Sequence, residues 1–274
     1  MIREGDNGCV LLTCWAGCER PDVLAEIRRR HLLERRPDYA PRTIPARQRH
    51  DDTGRTARAM NIWRNARLGA GTIVTRYLES RGIVFEPWPS SLRFHPHCPR
   101  PRNDSGNLLA PLPAMVGLVE HVEHGPVAVQ CSYLRPDGSG KADLPKDEQR
   151  AFFGPVAGGA VRFGAPRAGT ELVVGEGIES TLSAALPCDL LAWAALSATG
   201  IQKLALPSDA THVLIAADND TNGRGQSAAH DAATRWVAEG RHVRVATPPQ
   251  SGTDFNDLLT GHTAAKISEA RHVP

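Results

Sequence analysis

The chain reads as an α/β protein whose main body is a mostly parallel sheet flanked by helices, preceded by a small mixed α+β subdomain and a helical connector. Three observations predict this. Two short apolar runs, Val173-Val174-Gly175-Glu176-Gly177 and Val213 through Asp220, each end in carboxylates and lead into segments of helical spacing. Continuous apolar runs alternating with helical patterns mark buried parallel strands. Upstream, apolar runs return at residues 114–122 and 127–134 and lead into a turn between strands.

Composition narrows the class. At 274 residues the chain is long enough for two cores. Its 41% hydrophobic content contains no long uncharged apolar run and no leader with a cleavage site, so the expectation is a cytoplasmic protein with no membrane partner. Six cysteines at 9, 14, 18, 98, 131 and 188 are irregularly spaced, which suggests reduced thiols and a metal site more than a disulfide framework. The net charge of +2 conceals an asymmetry: residues 1–100 carry 18 Arg, no Lys and 11 acids, leaving the remainder acidic. A basic arm before an acidic domain suits a polyanionic partner, although arginine preference alone produces the same count.

In order, residues 8–18 read as a strand followed by a Cys14-x3-Cys18 turn, and Pro21 opens a helix. Residues 34–55 hold three prolines and dense charge without periodicity, a linker pattern. From Thr56 a helix places Ala59, Ile62, Trp63 and Ala66 on one face, and a second runs from Gly71 or Thr72 to Ser80, closed by Gly82. His95-Pro96-His97-Cys98 offers three potential metal ligands in four residues, but Pro96 and the adjacent Pro99 favour an irregular loop. Arg135 to Lys141 reads as a turn between strands.

The carboxylates carry the chemistry. Ligands of parallel sheets gather beyond the strands' carboxyl ends, where Glu176, Asp218 and Asp220 fall. Asp218 and Asp220 are two apart and so share a side of an extended backbone. Clustered acids repel and take up protons unless a cation neutralises them, and oxygen donors without Cys or His favour Mg2+ or Mn2+. The competing reading is a turn with a helix cap, which Asp220-Thr221-Asn222-Gly223 also fits. Gly223-Arg224-Gly225-Gln226 opens a helix to about Glu239, with Ala228, Ala232, Trp236 and Val237 inward, and Arg224 adds charge beside an N-terminus suited to phosphate. His242 to Ala246 forms a strand, and Asp254 caps a closing helix.

Glu-Gly after one strand and Asp-x-Asp after another, within VVGEGIESTLSAAL, WAALSATGI, LIAADND and GTDFNDLL, resembles the Toprim domain of bacterial DnaG-type primases, topoisomerases and some nucleases. The flanking phrases are similar to primases of phages, plasmids and integrative elements. The resemblance implies Mg2+ on Glu176, Asp218 and Asp220, with Asp254 an outer member of the cluster; Glu179, by its place in the first turn after Glu176, steadies that helix dipole. It makes residues 1–33 a partial zinc-ribbon-like module with Cys14 and Cys18 as zinc ligands. Zinc requires four, so the start is truncated, the module is lost, or Cys9 or a distant His completes it. It makes 34–55 the linker, 56–90 the connector, 91–168 a primase N-terminal subdomain and 169–274 the Toprim domain.

By position, Arg135, Lys141 and Arg162 would hold template and nucleotide, while Lys146 reads as a solvated charge; relatives carry a His-Arg pair where this chain has Cys131-Ser132. The implied activity is template-directed primer synthesis from nucleoside triphosphates on single-stranded DNA. A separate helicase partner is expected, since no phosphate loop appears. A Toprim nuclease and a non-catalytic single-stranded-DNA-binding remnant are the alternatives; a topoisomerase would need a nucleophilic tyrosine on a separate domain, and Tyr39, Tyr77 and Tyr133 all lie upstream.

Overall fold

The computed structural model describes residues 2–4, 10–12, 26, 29–30, 52–102, 106–261 and 271–272. The chain divides into Met1–His50 and Asp51–Pro274. In the first unit, β1 (Ile2–Glu4) pairs antiparallel with β2 (Val10–Leu12). Cys9, Cys14 and Cys18, and with them the expected zinc site, lie outside the described residues, as does most of the 34–55 linker.

The second unit begins with α1 (Asp52–Asn65), which starts four residues before the expected Thr56 because Asp52 opens the first turn and pairs with Arg55. Its buried Ala59 and Ile62 pack with Ala66 against the strands beneath. After β3 (Arg67–Leu68), α2 (Ile73–Ser80) is capped by the Thr72 side chain, which accepts from the Val74 amide. Gly82, at φ +71°, follows its end.

One sheet then runs through the rest of the unit. β4 (Leu92–Cys98), β5 (Leu112–His121), β6 (Gly125–Tyr133), β7 (Arg150–Phe153) and β8 (Gly159–Phe163) are antiparallel neighbours. One edge of β5 carries β6; the other is shared by β4 and β8. β8 also pairs antiparallel with β10 (Leu191–Ala194), which joins this antiparallel half to a parallel half of β10, β9 (Glu171–Gly175), β11 (His212–Ala216) and β12 (His242–Ala246). β13 (Arg271–His272) closes the edge antiparallel to β12.

β9, β10 and β11 are buried on both faces, the reason their sequences lack alternation. Val173 packs toward α3 (Ile178–Ala185) and α6 (Phe255–Leu259). Leu172 and Val174 pack on the opposite face, with Ile201 of α4 (Ala198–Lys203) and Trp236 of α5 (Arg224–Ala238).

Two details correct the sequence reading. His95 to Cys98 is strand, not loop: Pro96 sits at a register shift in the β4–β5 ladder, where its missing N–H costs no ladder bond, and Cys98 is buried. Val237, expected inward, is 40% exposed, because Ala229, Ala232, Ala233 and Trp236 already fill the buried face of α5.

Candidate metal and nucleotide site

Neighbouring parallel strands β9 and β11 place Gly175 opposite Ala216, so the residues just beyond their carboxyl ends meet. There a cleft of about 340 Å³ is lined by Glu176, Glu179, Asp218, Asp220 and Asp254. Arg81, Lys141, Lys146 and Arg150 line the same cleft. Five chain segments far apart in sequence thus converge.

The loop after β11 holds the alternation that the Asp-x-Asp spacing predicts. The intervening Asn219 is fixed in the loop: its amide donates to the Thr253 carbonyl at 3.0 Å, its Nδ2 donates to the Pro248 carbonyl at 2.7 Å, and its Oδ1 accepts from Gln226 at 2.8 Å. Asp218 and Asp220 are left to face the cleft. Gly225, in the first turn of α5, makes room for them. A Cβ there would stand 3.0 Å from Glu176 Oε1, 3.0 Å from the Asp218 carbonyl oxygen and 3.4 Å from Asp220 Oδ2.

Burial, and then the charges of Asp218 and Asp220, raise the Glu176 carboxyl to about 7. Asp218 is pushed to about 6, first by burial; the Ser180 hydroxyl, donating at 2.7 Å, opposes the rise, and Asp254 and Asp220 add to it. Glu176 Oε1 is buried without a hydrogen-bond partner. An all-oxygen donor set with one orphaned carboxylate oxygen fits a hard divalent cation such as Mg2+. The three acids stay more widely spaced than a closed ligand set: among the described residues, the group of ligand atoms all within 4.8 Å of one another is His121, Glu123 and His124.

Asp254 caps α6 in a reciprocal box with Asp257, the structural reading of it, and also lines the cleft. Glu179 is buried and more than a helix-dipole residue. Tyr77 Oη donates to its Oε1 at 2.5 Å, and Lys141 Nζ lies 3.1 Å from the same oxygen. Burial would raise this carboxyl, but Lys141 and the Tyr77 hydroxyl prevail and hold it at about 2.

The other expected cations divide. Lys141 reaches the cleft, and so does Lys146, which the sequence presents as a solvated charge. Arg135 instead pairs with Asp143 on the turn it helps form. Arg162 lies 4.1 Å over the Trp193 ring and donates to the Glu120 carbonyl, outside the cleft lining. Arg224 begins α5, exposed and outside that lining. Cys131 and Ser132 are buried in β6. Arg81 and Arg150 were not anticipated; Arg150 is the first residue of β7, and only the pairing of β7 with β6 brings it to the acids.

The family model for the Toprim domain matches residues 171–265, which contain Glu176, the Asp-x-Asp pair and Asp254. Residues 171–265 are a Toprim domain. A domain of unknown function, DUF7146, matches residues 53–163, upstream of Toprim. The fold of the unit is primase-like: a DnaG primase catalytic domain solved with single-stranded DNA superposes with a TM-score of 0.51 at 17% identity, covering 76% of this chain and 77% of that one. A DNA primase domain from Pseudomonas aeruginosa gives 0.49 at 17% identity over 75% and 74%. No curated protein matches the chain by sequence.

Proposed function

We propose that this protein is a primase-type nucleotidyltransferase that synthesises short RNA primers on single-stranded DNA from nucleoside triphosphates. The observation that carries the reading is the cleft that Toprim acids share with cations from the upstream segments, Arg81 of the connector, Lys141 and Lys146 of the stretch after β6, and Arg150 of β7. Glu176, Asp218 and Asp220 would hold Mg2+ (or Mn2+), with Asp254 beside them, and Mg2+ there supplies activation of a ribonucleotide 3′ hydroxyl and neutralisation of the leaving pyrophosphate.

The chain's own residues divide the remaining work. Lys141, Lys146, Arg81 and Arg150 present donors to a triphosphate entering the cleft, which orients it against the acids. Glu179 and Tyr77 fix Lys141 on the wall, so that its ammonium need not reorganise during the reaction. No covalent side-chain intermediate is required. The DNA of the DnaG relative belongs to that structure; its likeness in fold, together with the basic arm of residues 1–100, supports a single-stranded template here.

The test is incubation of single-stranded DNA with labelled nucleotides and Mg2+ or Mn2+. New short products support the proposal. Shortening of the DNA would assign a nuclease, and retained binding without chemistry would assign a remnant.

A further inference from the structure

Away from the acidic cleft, the turn between β5 and β6 gathers His121, Glu123 and His124, with one ligand atom from each within 4.8 Å of the others. We propose that this turn is a second metal site, selective for Zn2+ or a similar transition metal through two imidazoles and a carboxylate. The chemistry differs from that of the Toprim acids: nitrogen donors favour zinc, and an all-oxygen cluster favours Mg2+.

The turn fixes the three residues within four positions, with Gly125 at φ +65° completing the reversal into β6. His121 is anchored at the end of β5, where it pairs with Gly159. Its ring lies against Gly158, where a Cβ would stand 2.8 Å from Nε2, so a side chain there would displace the imidazole. Its Nδ1 accepts from the Glu123 amide at 3.2 Å, which places the lone pair on the side of the turn, and a metal would replace only that long bond. The His124 ring stacks on it at 4.5 Å. Tetrahedral zinc needs donors about 3.3 Å apart. Glu123 and His124 are exposed and free to close that gap by rotation.

Both histidines border a cavity of about 600 Å³, leaving a fourth position for water. The site and the acidic cleft share no lining residue.

The test is equilibrium dialysis of the full chain against Zn2+, comparing wild type with His124→Ala, Glu123→Ala and the Asp218→Ala, Asp220→Ala double variant. Wild type and the double variant should each hold one zinc more than His124→Ala, and Glu123→Ala should bind that zinc at least about tenfold more weakly. Cysteine-bound zinc is common to all four and cancels. With Co2+, the difference spectrum of wild type minus His124→Ala should show d–d bands without thiolate charge transfer. Equal zinc content in wild type and His124→Ala, or a difference band of thiolate character, would overturn the proposal. Glu123 and His124 are exposed, and far-ultraviolet circular dichroism verifies the fold of each variant.

Discussion

Lys141 Nζ stands 3.1 Å from Glu179 Oε1, joining the turn after β6 to the first turn of the helix that follows Glu176. The pair also receives Tyr77 from the connector, so one buried carboxylate ties three parts of the unit together. Glu179→Ala strands a half-buried ammonium and a buried phenol. It should cost about 2–4 kcal/mol in urea unfolding, whereas Tyr77→Phe should cost about 1 kcal/mol. Equal small losses would show that the pair contributes little to stability.

The same carboxyl sets an acid limit on stability. Glu179 is held at about 2, below its ordinary value of 4.5, so its contribution is present above pH 4.5 and is lost as pH falls toward 2. Glu176 acts in the opposite sense. Raised to about 7, it favours the folded state below pH 4.5 and withdraws that support as pH rises through 7. Without metal, thermal midpoints should therefore decline between pH 5 and 8. Mg2+ should restore stability chiefly at the upper end, and Glu176→Gln should raise the metal-free midpoint at pH 8 by roughly 2–4 °C.

Gly225→Ala tests the close approach of α5 to the acids. The new methyl would press on Glu176 Oε1 and the Asp218 carbonyl oxygen at 3.0 Å. The fold should survive, because alanine favours helix, while the Mg2+ concentration needed for half-maximal activity should rise by about tenfold. An unchanged metal requirement would show that the acids can shift without cost.

Much of this was legible in the sequence because the signals were local. The runs ending at Glu176 and Asp218 are continuous in sequence, and Asp254 carries its cap motif three residues ahead of Asp257. The basic wall was legible only at Lys141. Arg150 reaches the acids only through the β6–β7 pairing, and Arg81 only through the connector, whose carbonyl accepts from Asn256 of α6. Arg162 misleads for the same reason: sequence shows its charge but not the Trp193 face beneath it. The strand at His95 to Cys98 was obscured because proline is tolerated at a register shift that sequence does not mark.

The central claim is that Asp218 and Asp220 support metal-dependent primer synthesis, and the most direct measurement compares wild type with the Asp218→Ala, Asp220→Ala double variant on single-stranded DNA. Labelled nucleotides and Mg2+ or Mn2+ should yield short products from wild type, with activity reduced by at least about a thousandfold in the variant. Products made equally well by the variant would contradict the account.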